Sequence, residues 1–319
     1  MRLASFAAEG IERIGIALDE EAIVDLVDAW TRAGLPADRR PVDMTELALG
    51  GPALLADVER CARAAHACRD RAFPIDEIRF RPPMRRPSKI LSVANNNSAL
   101  AAVARKYVDE PAFFNKAPSS LIGHGEAIQI RSDYGLTHPE AELALVVGRE
   151  AKFLTRENAL DAVLGYTIIN DVTSVGLKSE DTIVFANPGI TPPPEGFEHG
   201  DMQLTYHARS KSTDTFGPCG PWLVTADEVP DPNALSVRVW LGGELVTEDS
   251  TANLMFDVPR VLEHATRYFT LLPGDLVHFG TAVRGGRYGL RDLDLLKREG
   301  PCEIEIEGLG RLSNPVERL

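Results

Sequence analysis

The strongest constraint on this chain is a change of pattern at Lys89. Pro74, Pro82, Pro83 and Pro87 crowd the residues before it. Proline fixes φ and removes a backbone donor, so such a cluster joins elements and does not build one. After it, short apolar runs recur at 90–93, 127–130, 142–147, 166–172, 223–225, 236–241, 275–279 and 303–307, parted by Gly, Pro, Asn and Asp. That rhythm predicts strands. Helical spacing is expected at 156–163, with Thr155 as N-cap, and at 258–268. The expected fold is α+β and β-dominated, without regular βαβ alternation. Residues 1–75 are expected to form a smaller N-terminal α/β domain, with a strand at 12–17 and helices within 22–33 and 43–68. Residues 76–88, including the arginine-rich 79–86, read as a linker, and 89–319 as a larger second domain. The proline-rich 182–200 reads as a long loop, a feature that is often functional.

Charge narrows the partners. The 319 residues carry a net charge of −13, which repels nucleic-acid phosphates. No run of about 18 apolar residues is present, so no membrane span is expected, and the N-terminus lacks the apolar core of a secretory signal. Cys61, Cys68, Cys219 and Cys302 show no C-x-x-C spacing. Neither a disulfide framework nor a structural zinc site is suggested, and a reducing cytoplasm fits.

Chemistry concentrates at a few places. Glu140-Ala-Glu142 enters a strand, and residues i and i+2 of a strand share a face. Two carboxylates so placed repel unless a cation neutralises them, and hard oxygen donors favour magnesium, manganese or calcium. Taken alone, the same pair also reads as two solvated glutamates at a strand edge. Asn170-Asp171 ends the apolar run 166–169 and presents another carboxylate, or else caps a turn. Lys211, in Arg209-Ser-Lys-Ser, precedes a Gly-Pro-rich segment that forces an irregular path. A lysine beside a metal could hold a substrate oxygen; a solvated basic turn is the plainer alternative.

Together these pieces resemble the fumarylacetoacetate-hydrolase family over 86–319. The matching segments run in order: Lys89-Ile-Leu-Ser-Val; Glu110-Pro-Ala-Phe-Phe-Asn-Lys116; Glu140-Ala-Glu142 through Gly148-Arg149; Gly165 through Asn170-Asp171-Val; Ser210-Lys211-Ser; Gly217-Pro-Cys-Gly-Pro-Trp; Leu272-Pro-Gly-Asp275; Gly280-Thr281; and Glu303 through Asn314-Pro315. The resemblance implies a mixed β-roll catalytic domain behind a smaller N-terminal domain, paired as a homodimer. It implies that Glu140, Glu142 and Asp171 hold magnesium or a similar ion, with Lys116 and Lys211 near the substrate and Thr281 binding its carboxylate or oxo oxygen. Asn95, in the segment after the first strand, falls on the same substrate side. The implied substrate is a small 2-oxo or β-diketo acid, cleaved by hydrolysis at a carbon–carbon bond, decarboxylated, isomerised or hydrated.

The chain departs from the family at one consequential place. Hydrolytic members carry a His and, three residues later, a Glu soon after the first catalytic strand. Aligned from Asn95, those positions are Ala99 and Ala102, and neither can move a proton. Carbon–carbon hydrolysis leads by family precedent. The missing dyad favours an isomerase, decarboxylase or lyase, or a protein that binds without turnover. His138, two residues before Glu140, and His124 are the candidate substitute bases. Arg284 or Arg287 is the candidate grip for a second carboxylate.

Overall fold

The computed structural model describes residues 1–104, 107–185, 202–283 and 293–319. Its backbone is a mixed twelve-stranded sheet. In spatial order the main path runs Phe73–Pro74, Ala22–Asp25, Ile11–Ala17, Arg2–Ala8, Gly217–Thr225, Val163–Asn170, Ala141–Val147, Leu276–His278, Ile90–Val93 and Phe113–Lys116. Two short strands pair off this path: Arg79–Arg81 with Arg2–Ala8, and Leu121–Ile122 with Gly217–Thr225. The N-terminal strands therefore continue the sheet formed by the strands that follow Lys89, through the pairing of Leu3 with Leu223. A second, four-stranded sheet is built from Glu244–Ser250, Ser236–Leu241, Cys302–Ile306 and Gly310–Asn314.

The central strand Ala141–Val147 is buried along its whole length. Leu143, Leu145 and Val147 enter one apolar cluster, while Ala144 and Val146 enter another on the opposite face. A strand covered on both faces reads as a continuous apolar run, as this one does. Each fully buried Leu or Val there contributes about 1.5–3 kcal/mol of transfer free energy. Helix Gly51–Ala65 packs on helix Leu26–Arg32, over the N-terminal strands. Helix Val258–Tyr268 starts at Asp257, whose side chain accepts from the Arg260 amide, with Pro259 in its first turn.

Several sequence expectations are corrected. The helix expected at 156–163 is a single 3₁₀ turn, Ala159–Ala162. Asn158 Oδ1 accepts from the Thr155 amide at 2.9 Å, and Val163 already opens a long strand, so no helix can propagate. The helix expected over 22–33 begins only at Leu26, because Ala22–Asp25 pairs with Ile11–Ala17. The helical 43–68 divides into Met44–Leu49 and Gly51–Ala65. Arg79–Arg81, inside the expected linker, is a strand. The loop expected from Thr182 opens as a hairpin strand, Thr182–Phe185, paired with Met202–Thr205. The rest of that loop, with His199, lies outside the described residues.

Candidate active site

Strand register assembles the site. Ala141 pairs with Asn170, so Glu140 and Asp171 meet at the same strand ends, where the Asp171 amide donates to Glu140 O at 2.9 Å. Ala144 pairs with His278, and His278 pairs with Ser92 on the next strand. These ends surround a cavity of about 490 Å³. Asn95, His138, Glu140, Glu142, Asp171, Lys211 and Thr281 all line it. The sequence-expected residues thus converge, with two exceptions. Lys116 is fully buried and does not line the cavity; it supports Asp171 from behind. Arg284 and Arg287 lie outside the described residues.

Asp171 is the electrostatic centre. Its Oδ1 accepts from Lys116 Nζ at 2.9 Å and its Oδ2 from Lys211 Nζ at 2.6 Å. Lys116 Nζ also donates to the Lys211 carbonyl. Burial opposes ionisation of Asp171, but the two ammonium groups outweigh it and hold the carboxyl well below its ordinary range. Burial pushes Lys116 down, against the attraction of Asp171. For Lys211 burial is outweighed by Asp171, Glu140 and Glu142, which hold it charged. Lys211 Nζ lies 3.1 Å from Glu140 Oε2 and donates to Thr173 Oγ1 at 2.7 Å. Thr173 in turn donates to Glu140 Oε1 at 2.8 Å. One ammonium therefore screens two carboxylates that would otherwise repel.

Glu142 is held differently. Its Oε2 accepts from Gly280 N at 2.7 Å and faces His278 Nδ1 at 2.5 Å. Burial raises its pKa, and the nearby Asp171 and Glu140 charges raise it further. Gly280 has φ +96°, and a Cβ there would stand 2.8 Å from the Asn96 Cβ, so only glycine brings this amide to the carboxylate. Asn96 and Asn97 brace that turn, donating to the carbonyls of Phe279 at 2.9 Å and Thr281 at 3.1 Å.

Among the described residues, Glu142, Asp171 and His278 offer ligand atoms within 4.8 Å of one another, while Glu140 lies outside that cluster, its oxygens engaged by Thr173 and Lys211. His278, His207 and Lys178 escaped the sequence reading. His207 and Lys178 line the cavity. His278 had one faint signal, since it lies in the strand that runs into Gly280-Thr281. His138 lies with its Nδ1 3.2 Å from the Pro139 carbonyl and its Nε2 3.9 Å from Glu140. His124 stands outside the cavity against Phe80, accepting from the Ser313 amide. Ala99 and Ala102 sit in and just after the short helix Ser98–Ala101, beside cavity-lining Leu100.

Comparisons with known proteins show what the chain is similar to. Oxaloacetate tautomerase YisK of Bacillus subtilis (strain 168) is 27% identical over 312 residues, spanning 95% of both proteins. Fumarylacetoacetate hydrolase of the psychrophile Exiguobacterium antarcticum has a structure that matches with a TM-score of 0.73 at 27% identity, over 100% of each chain. Maleylpyruvate hydrolase of Sphingobium sp. SYK-6, solved with manganese(II) and pyruvate, shares the fold at a TM-score of 0.68 and 23% identity, covering 100% of this chain and 99% of its own. The family model described as "Fumarylacetoacetate (FAA) hydrolase C-terminal" matches residues 89–317, the segment that supplies all the cavity carboxylates, and the chain belongs to that family.

Proposed function

We infer that this protein is a divalent-metal-dependent enzyme that interconverts the keto and enol forms of a small 2-oxo acid of the oxaloacetate type. The observation that carries this reading is the composition of the cavity. It gathers carboxylates and lysines, yet the positions that would activate water are Ala99 and Ala102. Tautomerisation moves a proton and needs no water as nucleophile. The match to an oxaloacetate tautomerase along 95% of both proteins supports the same choice.

The donor set fits a hard divalent cation. Burial first, and then the neighbouring Asp171 and Glu140 carboxylates, push Glu142 toward its neutral form against the pull of His278, and a bound cation would relieve the carboxylate repulsion. Glu142 and Asp171 would hold the ion, with Glu140 completing the set, His278 orienting Glu142 from behind, and magnesium or manganese as the natural occupant. Such an ion supplies Lewis acidity, stabilising negative charge that develops on the oxygens of a 2-oxo acid. The chain's own residues do the rest. Lys116 and Lys211 fix Asp171 and keep it ionised. The Lys211 ammonium stays charged at the cavity wall, where it can hold a substrate oxygen. Thr281 and Asn95 line the same cavity and would position the carboxylate end of the acid.

Carbon–carbon hydrolysis is the second reading, favoured by the full-length structural match to a fumarylacetoacetate hydrolase. An ultraviolet assay separates the two, with oxaloacetate and acylpyruvates as substrates and magnesium or manganese added. Enol absorbance that decays to the keto form without new acids, in the wild type and not in Glu142→Ala, supports the tautomerase. Release of pyruvate from an acylpyruvate supports the hydrolase. No metal-dependent change with any substrate sinks both.

A further inference from the structure

A tautomerase needs a group that carries a proton between carbon and oxygen, and the family's dyad is absent. Two described histidines line the cavity, His138 and His207. Both nitrogens of His138 face groups of the protein, Nδ1 the Pro139 carbonyl at 3.2 Å and Nε2 the Glu140 carboxylate at 3.9 Å. His207 differs. Its Nδ1 is buried without a hydrogen-bond partner, and among the described residues no hydrogen bond reaches Nε2. A buried, unpaired ring nitrogen costs stability unless a ligand meets it, and such exceptions concentrate where function requires them.

The ring is also well placed. His207 caps the short helix Ala208–Ser212, and its carbonyl accepts from the Lys211 amide at 3.1 Å. The residue is therefore tied to the turn whose lysine grips Asp171. The Phe114 ring flanks it, centroid to centroid at 5.8 Å, and carries Lys211 Nζ 5.2 Å from its own centroid.

We propose that His207 is the proton-transfer group of this site, standing where the family's dyad is missing. The proposal rests on the tautomerase reading. The imidazole takes the proton from C3 of the bound 2-oxo acid. The C3–H electron pair becomes the C2=C3 double bond, and the carbonyl π pair moves to oxygen. The imidazolium then returns the proton to that oxygen, giving the enol; the reverse sequence gives the ketone. No oxidant or water is consumed.

The surroundings suit a base. Burial, then the charges of Lys178 and Lys211, lower the His207 pKa, while Asp171 and Glu140 pull the other way. The nearby acids Glu180 and Asp181 are occupied by Arg209. The net effect keeps the ring neutral and able to accept a proton at neutral pH.

The test uses the manganese-loaded protein, oxaloacetate, and His207→Gln. Enol–keto conversion is followed by absorbance, and C3 deuterium uptake by NMR in deuterated water. Manganese affinity is read separately by electron paramagnetic resonance. In the variant, conversion and exchange should fall about 100-fold or more. The acid limb of the wild-type pH–rate profile should vanish, with manganese affinity unchanged. Equal rates and an intact acid limb overturn the assignment of His207 and leave the tautomerase standing. Loss of manganese affinity along with rate also overturns it, since His207 would then only hold the Lys211 turn in place. A wild type that converts and exchanges nothing overturns the tautomerase reading, and this inference with it.

Discussion

Glu142 Oε2 and His278 Nδ1 lie 2.5 Å apart in a place that water does not reach, and His278 Nε2 lies 2.5 Å from Ser92 Oγ. Serine, imidazole and carboxylate form a chain across adjacent strands. If Ser92 donates to Nε2 and Nδ1–H donates to Glu142, every polar atom of a neutral ring is satisfied. With the Gly280 amide, this gives Oε2 two donors, while no hydrogen bond among the described residues reaches Oε1. The imidazole so fixes which carboxylate oxygen is left for a ligand. Replacing His278 with Leu removes one donor from a buried carboxylate. Manganese affinity, measured by calorimetry, should fall about 10- to 100-fold, as for other partners of ligating groups. His278→Gln, which can still donate to Glu142, should recover part of the loss. Unchanged affinity in His278→Leu would show that the chain is packing and nothing more.

Metal should also register as stability. A cation that binds only the folded state adds RT ln(1 + [L]/Kd), about 2.7 kcal/mol at a concentration 100 times Kd. Thermal unfolding with and without magnesium or manganese should show a higher Tm for the loaded wild type. Glu142→Gln should lose that increment. In chelator the same variant should melt no lower than wild type, because it removes a buried carboxylate whose ionisation burial already opposes. An equal metal-induced rise in both proteins would place the cation elsewhere.

Much of this site was readable before the fold. Glu140, Glu142 and Asp171 sit at strand ends, and the alternation of a strand says which residues share a face; all three line one cavity. The strands at 90–93 and 236–241 were placed to the residue, because turn-forming residues bound them on both sides. What stayed hidden depended on long-range register. His278 meets Ser92 only because Leu276–His278 lies parallel to Ile90–Val93, nearly two hundred positions apart in sequence. Lys116 looked like a substrate group, yet it is sealed behind Asp171, and depth cannot be read from a pattern of residue types. Thr155 looked like a helix cap and instead donates its amide to Asn158, a local bond that competes with helix formation.

Asp171 should be the costliest cavity carboxylate to neutralise. Asp171→Asn leaves two buried ammonium groups without their counter-charge, and removing one partner of a buried pair costs about 3–5 kcal/mol. The pH dependence has a definite sign. The native carboxyl ionises below its ordinary value of 3.8, so its contribution is present above about pH 4 and is lost as pH falls through the native value. Urea unfolding should therefore show a large gap between wild type and Asp171→Asn at pH 7, narrowing as the pH drops below about 4. A gap that stays constant across that range would mean that the lysines do not depend on the charge of Asp171.

Lys178 should set the preference for a second carboxylate. It lines the cavity from the helix Val175–Glu180 and is exposed, whereas Glu142 and Asp171 are buried. Its neighbours Glu180 and Asp181 are both engaged by Arg209, and among the described residues Lys178 makes no ion pair. An ammonium with no ion-pair partner among the described residues, on the same cavity as the buried cluster proposed to hold the 2-oxo end, suits an acid charged at both ends. Lys178→Met should raise KM for oxaloacetate about tenfold with little change in kcat, and should leave KM for a monocarboxylate such as an acylpyruvate unaltered. Because the contact is open to solvent, the wild-type preference should also weaken as salt rises, and the variant should lack that salt dependence. A uniform rise in KM for both acids would instead mean that Lys178 shapes the cavity without reading the second charge.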